Sequence, residues 1–336
     1  MLYLVAGAVA LGLGLLLAVA VVMRRRARRA PGPAVAPVPG PAVPAVPAPA
    51  VPAPSAPAPR VATPAAARPA RRPSGIDDDD EPSGPQALIL VTAVARTDPG
   101  LKRKHNEDAY GVLADHHVFL IADGMGRHAA GEVASQLCVE TVTECFRTGK
   151  FGEARPDPTL PRRGNRLRAA ILEANGRILR AAELKDAYHG MGTTVVALCF
   201  SPSHQRVSIA HVGDSRCYRY RGAKLEQLTT DHTLGAIGVV GKTAGVLSRA
   251  VGIEEELDVD VTTEAPLPGD IYLLCSDGLS RMVPDEEVGA VLGEHGTDLE
   301  RATKRLIDLA NERGGRDNVT AILVRVDATG RPQQVP

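Results

Sequence analysis

Between residues 31 and 75 the chain carries 15 prolines, most of them in Ala-Pro and Val-Pro steps. Proline has no amide hydrogen for a ladder and its ring clashes with the preceding turn, so neither helix nor sheet can run through this tract. It also has little to bury, and extended, solvated chain is the expectation. At ~3.1 Å per residue in polyproline II, such a tract reaches at most roughly 140 Å. The tract therefore divides the chain into parts that must be read separately: a head at 1–23, an Arg-rich flank and linker at 24–85, a body at 86–328 and a tail at 329–336. The linker closes on five consecutive acids, Asp77 to Asp80 and Glu81, which read as a solvated hinge.

The head contains Leu2 to Val22, 21 residues without a charge. About 20 apolar residues are enough for a helix to cross the hydrocarbon core. Arg24, Arg25, Arg26, Arg28 and Arg29 follow at once, and the positive-inside tendency places that flank in the cytoplasm. A signal peptide would carry its positive charge before the apolar run. Residues 2–22 are thus expected to be a single-pass anchor in the inner (cell) membrane, with the body in the cytoplasm.

Lys and Arg number 39 and Asp and Glu 39, a net charge of zero. With no Trp and 3% aromatic residues, that balance argues against a nucleic-acid partner. The zero is unevenly made. Residues 1–75 hold nine Arg and no acid, whereas residues 82–336 hold 34 acids against 30 basic side chains. Five cysteines without a C-x-x-C pair suggest buried thiols in a reducing compartment and no disulfide framework.

In the body, Ala87 to Ala95 reads as a strand and Val118 to Ala122 as a short buried one. Ala130, Val133, Ala134, Leu137, Cys138, Thr141, Val142 and Cys145 fall at offsets 0, 3, 4, 7, 8, 11, 12 and 15, the stripe of an amphipathic helix. A second helix is expected over 165–184. Strands follow near 192–200, 205–212, 215–221, 224–229, 257–262 and 270–276, then helices near 284–293 and 297–312 and a strand at 318–326. Strands in runs, with helices in two pairs, point to an α+β fold of antiparallel sheets covered by helices rather than to βαβ units.

Acids fall where these strands end. The runs 118–122 and 271–275 lead into Asp123-Gly124 and, after Ser276, Asp277-Gly278. Asp317-Asn318 opens the final strand, Glu107-Asp108 precedes Ala109 to Leu113, and Asp214 sits between two strands. One Asp-Gly pair reads equally well as a turn. Five acid sites at strand ends, without Cys or Lys companions, favour hard divalent cations, Mg²⁺ or Mn²⁺, in oxygen-only shells. There is no H-E-x-x-H or Cys/His quartet for zinc and no Walker A motif, and Gly213-Asp214-Ser215 is not a serine-hydrolase elbow.

Six motifs in order carry a resemblance: Arg103-Lys104-His105-Asn106-Glu107-Asp108, Asp123-Gly124-Met125-Gly126, Gly190-Met191-Gly192-Thr193-Thr194, Gly213-Asp214-Ser215-Arg216, Ser276-Asp277-Gly278-Leu279 and Gly315-Arg316-Asp317-Asn318. Over about residues 90–326 the string resembles the bacterial metal-dependent Ser/Thr protein phosphatases of the type 2C (PPM) family. The resemblance implies a four-layer α-β-β-α sandwich with a two-metal site between two antiparallel sheets. It implies that Asp123 bridges two Mn²⁺ or Mg²⁺ ions, with the Gly124 carbonyl, Asp277 and Asp317 as further ligands and Asn318 in support. Glu107 and Asp108 would hold metal-bound waters, Asp214 a third and weaker ion, and Arg103 the substrate phosphate. It further implies phosphoprotein substrates, hydrolysis by a metal-bridging hydroxide without a phosphoenzyme, and opposition to Hanks-type Ser/Thr kinases.

Three departures stand out. Met125 occupies the place after Asp-Gly where animal members have a His, so a metal-bound water is the expected leaving-group donor, with His128 read as solvated or helix-capping and Arg127 as solvent-facing. The segment Thr233 to Leu247 is short and Gly-rich where many bacterial members carry a longer flap. The loop 148–164 is polar and reads as a surface insertion. A catalytically silent phosphatase-like binding or scaffold module is the alternative, distinguished by loss of the metal acids.

Overall fold

The computed structural model describes residues 89–126, 130–201 and 206–328. The expected anchor at 2–22, the linker with its acidic run, Arg127, His128 and the tail at 329–336 lie outside the described residues. Strands β1 (Ile89–Asp98), β2 (Asp108–Leu113) and β3 (Val118–Met125) lead to helices α1 (Ala130–Thr148) and α2 (Arg162–Leu184). Then come β4 (Gly192–Thr193), β5 (Val195–Phe200), β6 (Val207–Val212), β7 (Arg216–Arg221), β8 (Lys224–Gln227), β9 (Asp260–Glu264) and β10 (Ile271–Cys275). Helices α3 (Asp285–His295) and α4 (Leu299–Glu312) precede β11 (Val319–Ala328).

One sheet runs β1-β11-β10-β7-β8 and the other β2-β3-β5-β6-β9, with β4 joined to the end of β3. Neighbouring strands pair antiparallel in both sheets. Successive side chains of one strand serve different layers, as the pleat requires. On β3, Phe119 and Ile121 point between the sheets, where they meet Val196, Leu198, Tyr272 and Ile322. Leu120 and Ala122 point the other way, into a core shared with Ala134, Cys138, Leu167 and Ile171 of α1 and α2. The opposite sheet repeats the arrangement, with Leu273 and Leu323 packed on Val288, Leu292 and Leu306 of α3 and α4. These are the expected four layers. Both faces of β5 and β10 are covered, so every residue of each is buried and neither shows alternation. Each large side chain so buried contributes roughly 1.5–3 kcal/mol.

The strand expected at 192–200 is two strands. Thr194 interrupts it: its N–H donates to the Asp123 carbonyl at 2.8 Å and its Oγ1 accepts from the Asp123 N–H at 3.1 Å. The break leaves β4 on the tip of β3 and β5 on its first half.

Candidate active site

The ends of β3 and β10, one from each sheet, open on a cleft of about 320 Å³. Asp123 and Gly124 line it from β3, Asp277 from the helical turn Asp277–Ser280 after β10, and Asp214 from the β6–β7 turn. Arg103, Glu107, Asp317 and Asn318 complete the rim. The topology thus brings eight of the nine expected site residues to one cleft, and the ninth, Asp108, lies opposite Asp123 in the β2–β3 register.

Two glycines have steric reasons to be where they are. A Cβ on Gly124 would lie 2.0 Å from the Gly131 carbonyl oxygen at the start of α1. One on Gly278 would lie 1.9 Å from the Asn318 carbonyl oxygen. Each Asp-Gly pair therefore lets another backbone press against the strand end and fixes the direction of its acid.

Burial is severe for these acids. Asp108 Oδ2 accepts from Thr320 Oγ1 at 2.6 Å and Ser276 Oγ at 2.8 Å, while its Oδ1, also buried, has no hydrogen-bond partner. Burial pushes Asp108 up to about 6, against those two hydrogen bonds. Asp277 is pushed up to about 7 by burial, against the pull of Arg281. Asp123 stands well above the usual carboxylate range because it is buried and faces the charges of Asp108, Asp277 and Asp214. Burial also raises Asp214 and Glu107. Oxygen donors, crowded negative charge and an orphaned buried carboxylate oxygen together fit a hard divalent cation, which would relieve all three at once.

Arginines meet these acids at the rim. Arg103 donates to Asp317 Oδ2 at 2.8 Å and lies 3.8 Å from Glu107 Oε2. Arg281 reaches Asp214 Oδ2 at 2.7 Å and Asp277 Oδ2 at 2.9 Å. Asn318 ties down the loop that carries Arg103 and Glu107. Its Oδ1 accepts from the Glu107 N–H at 2.8 Å, and its Nδ2 donates to the carbonyls of His105 and Pro99 at 2.9 and 3.0 Å. Across the cleft, Leu247 closes the segment from Thr233 by a bridge between those two residues, and Ile237, Val239, Val240 and Val246 are exposed on it.

Sequence reasoning missed Arg281, although its position four residues after Asp277 on a helical turn was a usable signal. It also missed Thr194, Ser276 and Thr320 as hydrogen-bond partners of the acids. The carboxylates do not form one knot of ligand atoms. Among the described residues, only His211, His232 and Asp260 place three such atoms within 4.8 Å of one another. That group does not fit a metal. His232 Nδ1 accepts from the Gly213 N–H, its Nε2 faces Asp260 at 3.2 Å, His211 Nε2 faces the Thr230 carbonyl at 2.9 Å, and Arg249 donates to Asp260 at 2.7 Å. All five cysteines are buried, with Cys138 and Cys275 pushed up to about 12 by burial, which fits the expectation of inert thiols.

A family profile described as Protein phosphatase 2C matches residues 102–324. Over 248 residues the chain is 38% identical to the serine/threonine phosphatase stp of Listeria monocytogenes, covering 70% of this chain and 95% of that protein. It is 35% identical over 252 residues to the serine/threonine protein phosphatase PstP of Mycobacterium tuberculosis, covering 72% of this chain and 46% of PstP. Among solved structures, PppA, a regulatory component of the T6SS in Pseudomonas aeruginosa, superposes with a TM-score of 0.62 at 33% identity, covering 72% of this chain and 100% of that one. The catalytic domain of PstP in complex with two manganese ions gives a TM-score of 0.62 at 35% identity, covering 71% and 99%.

Proposed function

This chain belongs to the protein phosphatase 2C family and is a protein serine/threonine phosphatase; from that premise we propose that its cleft is a two-ion centre for Mn²⁺ or Mg²⁺. The observation that carries this reading is the meeting of Asp123 and Asp277, from opposite sheets, as buried acids whose pKa values are raised by burial. A structure of the relative PstP with two manganese ions supports the same count.

Asp123, the Gly124 carbonyl, Asp277 and Asp317 would hold the ions, as the family resemblance implies. Glu107, on the rim, and Asp108, whose buried Oδ1 lacks a partner, would accept hydrogen bonds from water held with the ions. When bound, the ions neutralise phosphoryl charge and acidify water near neutral pH. Arg103, at the exposed rim, offers its planar fork to the phosphoryl oxygens, a bidentate geometry that Lys does not reproduce. Met125, after the Asp-Gly pair, has no proton to give, so the departing Ser or Thr oxygen takes its proton from water. The substrates are phosphoSer and phosphoThr proteins, the products of kinases that this enzyme opposes. Residues 2–22 hold it at the inner face of the cell membrane; their apolar length and the Arg flank that follows support this.

The test is turnover of a phosphothreonine peptide by the full chain. EDTA is expected to abolish it and Mn²⁺ to restore it. Asp123→Asn or Asp277→Asn should each lower kcat by more than about 100-fold with the fold intact by circular dichroism. Full turnover in EDTA overturns the metal centre.

A further inference from the structure

Asp214 is the residue that the family resemblance assigns to a third ion, and its surroundings in this chain point elsewhere. The residue is buried, 6% exposed, and its Oδ2 accepts a 2.7 Å hydrogen bond from Arg281. The same guanidinium nitrogen lies 2.9 Å from Asp277 Oδ2, so one positive charge, on a half-exposed side chain, spans two acids that come from different turns. Arg281 is anchored at its own backbone, where its N–H donates to the Asp277 carbonyl at 2.9 Å. An arginine in a protein does not lose its proton, and a charge-assisted bond to carboxylate is roughly twice as strong as a neutral one. A divalent ion seeking Asp214 has to displace that bond and then sit beside the displaced positive charge.

We propose that Arg281 is a resident cation that takes the place of a third divalent ion at Asp214, so that the centre holds two ions and one permanent protein charge. This rests on the reading of the cleft as a divalent-metal centre. In this arrangement Asp214 is a positioning residue: it holds Arg281 against Asp277, and through Asp277 it orients the two-ion site. The chain then has no dependence on a weakly held ion at that corner.

The test counts Mn²⁺ bound to the full chain, from the loss of the free-ion signal in electron paramagnetic resonance. Two ions are expected in the wild type, three in Arg281→Ala, and two again in the double variant Arg281→Ala/Asp214→Asn. Asp214→Asn alone should leave the count at two, an arm that stands even if Arg281→Ala does not fold. Three ions in the wild type, no gain in folded Arg281→Ala, or a drop from three to two in Asp214→Asn overturns the proposal. No bound ion in the wild type fails differently: it brings down the metal centre itself, and this proposal with it.

Discussion

His232 grips one residue, Gly213, from two sides. Its backbone N–H donates to the Gly213 carbonyl at 2.9 Å, and its Nδ1 accepts from the Gly213 N–H at 3.2 Å. Gly213 has φ +106°, and a Cβ there would come within 2.6 Å of Thr194 Cγ2, so the turn that presents Asp214 has room only for glycine. Because Nδ1 accepts, the ring proton sits on Nε2, toward Asp260. Burial, the stacked His211 ring and Arg249 push His232 down to about 4. The folded protein thus holds a neutral imidazole, while the unfolded chain titrates near the ordinary 6.5 and binds more protons between those values. His232 therefore contributes stability above pH 6.5 that is lost as pH falls toward 4. The melting-temperature advantage of the wild type over His232→Gln is expected to shrink across that window. A constant difference from pH 6.5 down to 4 would show that the stability comes from elsewhere.

At the scale of elements, the site depends on strand ends being held by distant chain. Asn318, opening β11, bonds three backbone groups of the 99–107 segment. Asn318→Ala leaves the Glu107 N–H and two carbonyls without those partners, a loss of about 1–3 kcal/mol if they stay buried. Urea denaturation should register that loss, and amide exchange should rise in 99–107 more than in α1. Equal exchange in both segments would mean that Asn318 does not latch the loop. The same distance in sequence explains what could be read in advance. The α1 stripe and the apolar run of β10 are local patterns, and the structure has both. Helix α2 begins at Arg162, three residues before the expected 165, because Pro161 caps it without a side-chain bond that the sequence would signal. Arg281 meets Asp214 67 residues away, and Thr194 meets Asp123 71 residues away. Periodicity within a window cannot report such pairs. The motif acids could be found because all but Asp108 lie directly beside a Gly or Asn, while the side chains that neutralise or hold them come from elsewhere.

For the whole molecule, the question is what the first 85 residues add. The three apolar clusters among the described residues draw their members from Val91 to Val326, and both sheets have helices on their outer faces. A core closed in this way does not depend on the Pro-rich tract for burial. A chain beginning at residue 86 is therefore expected to unfold in one cooperative transition and to match the full chain in kcat on a soluble phosphothreonine peptide. The difference should appear at a bilayer. The full chain should sediment with membranes and the shortened one remain in the supernatant. On a phosphoprotein anchored in the same vesicles, tethering turns encounter into an event at high effective concentration, and a linker reaching at most roughly 140 Å still spans neighbouring substrates. The shortened chain should lose rate on anchored substrate while keeping it on the soluble peptide. If it loses both, the head and linker contribute to the catalytic fold itself. If the full chain stays in the supernatant, residues 2–22 are not an anchor and the Arg cluster after them has no orientation to set.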